Sequence, residues 1–165
     1  MNYFAYGSNM SSRRLQQRVP QVRRLDNAVL AGYRLCFHKI GDDGSAKCDA
    51  FYTGAAADVL YGVLYHIEPA DKTLLDRIEG LGAGYDIKEV AVEGSVLGGV
   101  SALTYVATHI DASMQPYGWY KQHVLVGARE AALPTDYIEA IAGHPHRDDH
   151  DTLRHQRESA IHLPA

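Results

Sequence analysis

Asn2-Tyr3-Phe4-Ala5-Tyr6-Gly7-Ser8-Asn9-Met10 opens as an aromatic run and breaks abruptly into Gly-Ser-Asn, and an arginine-bearing segment, Ser11 to Arg18, follows at once. A short apolar run bounded by turn residues reads as a buried strand. Ser8, Asn9, Ser11 and Ser12 are all good helix N-caps, so the stretch is strand, tight turn and helix start. Such a turn presents unpaired backbone N–H groups at the positive end of a helix, a cradle for a carboxylate or a developing oxyanion. A plain connection between two elements is the competing reading, and turn chemistry alone does not separate them.

Outward from this start, Gly32-Tyr33-Arg34-Leu35-Cys36-Phe37-His38-Lys39-Ile40 alternates apolar with polar, the mark of a half-buried strand. Gly41-Asp42-Asp43-Gly44 closes it with a turn, and Asp49 to Ala57 is expected to pair back. Val59 to Ile67 is the most strand-like run, and Gly62 within it marks a bulge or a close backbone approach. The period then changes. Pro69 suits a first helical position, Leu74, Leu75 and Ile78 recur at helical spacing, and Gly80 supplies a stop. Strands are expected at Tyr85 to Val92 and Val100 to Thr108, then a helix from Tyr117 to Ala131 with Tyr120, Val124, Gly127, Ala128 and Ala131 on one face. Pro134 opens a last short helix, Thr135 to Ala142, ended by Gly143. This order lacks the strict alternation of a doubly wound sheet and predicts an α+β fold with a curled, mixed or mostly antiparallel sheet. Five or six short strands suffice to close a small barrel whose mouth is a pocket. One domain over residues 1–143 is expected, with a polar, histidine-rich tail over 144–165 that has little to bury.

The chain of 165 residues is long enough for a real core. A net charge of −4 gives no reason to expect nucleic acid or an anionic membrane as partner. No apolar run approaches the roughly 20 residues needed to span a bilayer, and the first residues do not read as a signal peptide. With only Cys36 and Cys48, free thiols and a reducing cytoplasm are the expectation. Tyrosine, at 11 residues, is the unusual count, and tyrosines suit a pocket wall that must fix a polar ligand.

Nucleophiles are poorly represented. Ser8 lies on the turn, but Tyr-Gly-Ser-Asn lacks the second glycine of a nucleophile elbow, and neither cysteine sits at an evident helix N-terminus. His144, His146, Asp148, Asp149, His150 and Asp151 crowd the tail, yet with no scaffold to fix ligand geometry they read as solvated surface, and no metal is expected. Glu79 is the better candidate. With about 100° per residue, it falls only about 40° from Leu75, at the border of the apolar stripe. It also ends its helix, where the macrodipole disfavours a carboxylate's charge, and partial burial acts in the same direction. Both effects favour a general base at neutral pH; a snorkelling boundary glutamate is the bland alternative.

Tyr3-Phe4-Ala5-Tyr6-Gly7-Ser8-Asn9-Met10 followed by Arg14, Arg18 and Pro20 resembles the opening of the γ-glutamylcyclotransferases. The resemblance continues at Leu75-Asp76-Arg77-Ile78-Glu79-Gly80 with Tyr85, and again at Tyr120-Lys121, Gly127-Ala128-Arg129-Glu130, Leu133-Pro134 and Tyr137. Several ordered motifs agreeing over residues 2 to about 140 are far more specific than any one of them. The hairpin from Lys47 to Ala57 and the histidine-rich tail depart from the family pattern. The resemblance implies a compact α+β fold around a small barrel, and cyclisation of a γ-glutamyl amide to 5-oxoproline with release of the amine. It implies Glu79 as catalytic acid and base, a substrate site at Tyr3, Phe4, Ala5, Tyr6, Gly7, Ser8, Asn9, Tyr85 and Tyr120, and no cofactor. The expected partner is a small γ-glutamyl compound, with a monomer or homodimer as the assembly. An attacking amine inside the substrate agrees with the lack of an evident protein nucleophile. A non-catalytic binding module on the same scaffold is the rival reading, and a metal- or partner-binding tail is a third.

Overall fold

The structure, a computed structural model, describes residues 1–164. Its first half runs β1 (Asn2–Ala5), a 3-10 turn (Ser8–Met10), α1 (Ser12–Arg18), β2 (Arg23–Ala31), β3 (Tyr33–Ile40), β4 (Ala46–Tyr52) and β5 (Val59–His66). The second half runs α2 (Pro69–Glu79), β6 (Tyr85–Gly94), β7 (Gly98–Ala107), α3 (Gly118–Glu130), α4 (Thr135–Gly143) and α5 (Thr152–Ala160). Five strands close a barrel in the order β1-β5-β2-β6-β7, while β3 and β4 form a separate hairpin. Every barrel pairing is antiparallel except the closure, where β1 runs parallel to β7 with Tyr3 opposite Leu103. This is the expected α+β architecture, a small mixed barrel with flanking helices.

Hydrophobic periodicity passes over β2, a central barrel strand. Its first half, Arg23-Arg24-Leu25-Asp26-Asn27, is polar, although alternation holds and Asp26, Ala28 and Leu30 are buried. The first of these inward places is occupied by a carboxylate. Asp26 accepts the N–H groups of Asn27, Val96 and Leu97 at 2.8, 2.8 and 3.0 Å, tying β2 to the β6–β7 turn. Burial works against that charge, but the three donors outweigh it and hold the carboxyl below its ordinary range. The pairing partner of β3 also lies earlier than expected, at Ala46–Tyr52 rather than Asp49 to Ala57. Phe37 faces Cys48 and Cys36 faces Asp49 across this hairpin, so the two free thiols point to opposite faces.

Two close approaches place the opening turn. A Cβ on Gly62 would lie 2.5 Å from the Ala5 carbonyl oxygen and 2.7 Å from the Phe4 ring, so the close approach read from sequence is real. From the other side α3 lays Gly127 on the chain, where a Cβ would stand 2.5 Å from the Ser11 nitrogen. Tyr65 then donates its hydroxyl to the Met10 carbonyl at 2.9 Å.

In α2 the expected stripe is corrected. Leu75 is fully buried, but Leu74 and Ile78 are 39% and 40% exposed. Glu79 lies one turn beyond Leu75 and shares its inward face. Gly80, at φ 68°, ends the helix in the left-handed region that glycine adopts without strain.

The segment from His144 onward is polar, and α5 buries no residue. It is nevertheless held to the body by specific contacts, which composition alone does not reveal. Trp119 Nε1 donates to the buried Asp149 at 2.8 Å, Arg154 pairs with the same carboxylate at 2.6 Å, and Arg14 reaches Glu158 at 2.7 Å. His144 stacks on Phe37 with centroids 4.5 Å apart. No helix among the described residues is long and apolar enough to cross a membrane.

Candidate active site

Where β1 ends, the chain leaves the barrel rim as the Gly7–Asn9 turn, and the end of α2 brings Glu79 against it. Glu79 Oε1 accepts from Asn9 Nδ2 and from Arg18 Nη1, each at 2.9 Å. Arg18 Nη1 also donates to Asn9 Oδ1 at 3.1 Å, and Asn9 Nδ2 reaches the Tyr3 hydroxyl at 2.9 Å. Turn, first helix and second helix therefore converge on one carboxylate whose side chain is 14% exposed. Oε2 makes no hydrogen bond among the described residues and is open to a ligand. Reading Glu79 from burial and its helix end leaves out both of these donors.

Tyr3, Tyr6, Gly7, Ser8, Asn9, Glu79, Tyr85 and Tyr120, all expected site residues, line one cavity together with Cys48 and Tyr105. Phe4 and Ala5 do not. Phe4 is fully buried with its ring over Gly62, and Ala5 pairs with Val63 and is also buried, so both are spent on barrel packing. Cys48 and Tyr105 escape sequence reading because β4 and β7 bring them in from distant parts of the chain. Arg18 sits in the quoted opening motif, but nothing in its spacing says that it reaches Glu79.

Most tyrosine hydroxyls here are already occupied. Tyr6 donates to the Tyr105 carbonyl, Tyr85 to the Cys48 carbonyl at 2.6 Å, and Tyr105 to Asp76 at 2.6 Å. Tyr120 differs, because its oxygen accepts the Cys48 N–H at 3.0 Å and its proton remains for a ligand or for the neighbouring Cys48 thiol. Burial pushes the Tyr6, Tyr85 and Tyr120 phenols well above their ordinary range, so each stays a neutral donor. Burial likewise raises the Cys48 thiol to about 12, which makes it a poor nucleophile. Among the described residues the Gly7 and Ser8 N–H groups have no partner in the chain, so the turn can still donate.

The cavity is small, about 30 Å³, where one water needs roughly 10–15 Å³ by the same measure. It opens at Ser8, Glu79, Tyr85 and Tyr120 into a larger cleft of about 360 Å³. A carboxylate-sized head fits the inner part, and Glu79 stands where the two spaces meet.

Comparison with known proteins identifies the fold and the family. A solved structure of a gamma-glutamyl cyclotransferase superposes with a TM-score of 0.86 at 24% identity, covering 98% of this chain and 97% of that one. A solved human structure, of a protein called uncharacterized, gives a TM-score of 0.86 at 25% identity over 98% of both chains. The fold is thus that of the γ-glutamylcyclotransferase-like barrels. In sequence the chain is 29% identical to human gamma-glutamylcyclotransferase over 146 residues, 84% of this chain and 76% of that protein. Residues 59–141 match the AIG2-like family, and the chain belongs to it.

Proposed function

We propose that the protein is a γ-glutamylcyclotransferase-type enzyme, converting a γ-glutamyl amino acid or amine to 5-oxoproline and the free amine. The observation that carries this reading is the 2.9 Å contact between Glu79 and Asn9 of the opening turn, which brings a candidate base within hydrogen-bond reach of a candidate anion cradle. The human relative named for this activity supports it.

In the reaction the substrate's α-nitrogen attacks its own γ-carbonyl carbon. The new C–N bond closes the lactam, and the original amide C–N bond breaks. Two protons leave the α-nitrogen on its way from ammonium to lactam N–H, and the departing nitrogen gains two, so the equation balances without water. Glu79 carries these protons through Oε2 while Asn9 and Arg18 hold Oε1 in place. The Gly7 and Ser8 N–H groups and the Tyr120 hydroxyl are donors for the glutamyl carboxylate and the tetrahedral oxyanion. A tight inner cavity folds the glutamyl chain toward attack geometry, for which effective molarities of about 10⁵ M and above are available.

Incubating the protein with a panel of γ-glutamyl amino acids and amines, with 5-oxoproline measured by chromatography, tests the reading. Turnover of at least one member is expected, and Glu79→Gln should lose about 10²-fold or more in kcat while still binding ligand. Binding without 5-oxoproline from any member would replace the enzyme with a binding module.

A further inference from the structure

The outer cleft is richer in positive charge than a proton-transfer site requires. Arg14, Arg18, Lys39, Lys47 and Arg77 line it, against Asp42, Asp43 and Glu79. Three of the five cations have acidic partners within the chain: Arg14 with Glu158, Arg18 with Glu79, and Lys47 with Asp43. Lys39 and Arg77 have none among the described residues.

Lys39 is the more telling of the two. It is only 7% exposed, yet its ammonium rests over the Tyr85 ring, 4.8 Å from the centroid, and against Gly84 with no carboxylate to meet it. The aromatic face attracts the ammonium but takes up none of its N–H groups, which stay free for an anion entering the cleft. Lys47 sits close by, caged by the Trp119 and Tyr120 rings at 4.8 and 4.7 Å. Arg77 extends from the last turn of α2, one residue from Ile78 and two from Glu79, on the solvent side of the same cleft. Both unpaired cations thus line the cleft that has Glu79 at its inner edge.

Resting on the cyclotransferase reading, we infer that this cleft is an anion subsite for the leaving group, and that the favoured leaving amine carries two carboxylates, as an acidic amino acid does. One carboxylate meets Lys39 beside Lys47, and the second meets Arg77 at the mouth. The three ion-paired cations are neutralised by their own partners, and the two unpaired ones supply the direct contacts.

The test is kcat/KM for three γ-glutamyl conjugates whose leaving amines carry two, one and no carboxylates: glutamate, alanine and a simple alkylamine, at low and high salt. At low salt each added carboxylate should raise kcat/KM by about tenfold, the scale of one charge-assisted contact, and high salt should compress the series. Lys39→Met and the exposed Arg77→Met should each shrink the glutamate-to-alkylamine ratio by about tenfold, with unfolding curves run to establish that both variants fold. A flat series with 5-oxoproline formed from every conjugate would overturn the subsite and leave the cyclotransferase standing. An absence of product from all three conjugates at both salt concentrations would remove both.

Discussion

Asn9 is the residue on which the site turns. Its amide nitrogen holds Glu79 and Tyr3 while its carbonyl oxygen receives Arg18, so one short side chain satisfies an acid, a phenol and a guanidinium at once. It is 5% exposed, and truncation strands buried polar groups at a cost of about 1–3 kcal/mol. A graded pair of substitutions separates this bracing role from simple packing. Asn9→Ala removes the contacts and frees Glu79 to leave its productive rotamer, so kcat should fall by about 10–100-fold. Asn9→Asp keeps the acceptor for Arg18 and nearly the same volume, but removes the donor to Glu79 and sets a second carboxylate beside the first. It should be the worse of the two, although it is the closer in shape. Steady-state kinetics on any turned-over substrate decides the matter, and Asn9→Asp with wild-type kcat would refute the role given to Asn9.

At the scale of elements, the turn is gripped between β5 and α3, and α3 approaches through Gly127. With a Cβ there the nearest atoms would be the Ser11 nitrogen at 2.5 Å and Met10 Cβ at 2.6 Å, and backbone on one side leaves no flexible side chain to swing away. Gly127→Ala must lift α3, and Tyr120 with it, and should destabilise the fold by about 1–3 kcal/mol, the usual range for overpacking. Gly143, at the end of α4, has nothing within 4 Å of its added Cβ. Gly143→Ala should instead be neutral or stabilise by about 0.4–1 kcal/mol through the unfolded chain. Urea unfolding of the two variants reads both signs, and a neutral Gly127→Ala would show that α3 is not held where the contact places it. These elements also mark what a sequence can disclose. Strands β5, β6 and β7 and the buried face of α3 were legible, because alternation and 3.6-residue spacing are local properties. Strand β2 was not, since its inward Asp26 is compensated by N–H groups some 70 residues away, at Val96 and Leu97. The two lobes of the site behaved likewise. Gly7 to Asn9 announces itself through turn chemistry, whereas Arg18, Cys48 and Tyr105 join the site through register and helix packing that no local pattern encodes. Even α2 was half legible: Leu74 and Ile78 matched the period, yet Leu75 alone is buried, and that choice sets where Glu79 points.

Across the whole molecule, the C-terminal segment closes back on the first helix through a polar core. His123 of α3 is fully buried, its Nδ1 lies 2.6 Å from Nε2 of His162, and its Nε2 lies 3.2 Å from Glu158. Glu158 also receives Arg14 at 2.7 Å, so α1, α3 and α5 meet at one carboxylate. These contacts are satisfied together when His123 is neutral, donating from Nε2 to Glu158 and accepting at Nδ1 from His162. Burial lowers His123 from 6.5 to about 4; Glu158 opposes the shift, while Arg14 and His162 reinforce it. Glu158, bonded to His123 and paired with Arg14 against its own burial, is lowered to about 2. The signs follow from linkage. Between pH 6.5 and 4 the unfolded chain holds a proton at His123 that the folded chain does not, so stability falls as the pH drops through that window. The Glu158 contribution is lost only further down, between its unfolded value of 4.5 and about 2. From pH 7 to 4.5 the His123 term is worth on the order of 3 kcal/mol at most, from 1.36 kcal/mol per pKa unit. Because protonation of His123 would set its Nδ1–H against the donor on His162 Nε2, at the contact between α3 and the last residues, the segment after Asp151 should loosen before the barrel does. Hydrogen exchange at pH 7 and pH 5 should show α5 losing protection first, and His123→Gln, which has no proton to gain, should flatten the decline in urea stability over the same interval. An unchanged pH slope in His123→Gln would mean that the acid sensitivity lies elsewhere in the molecule.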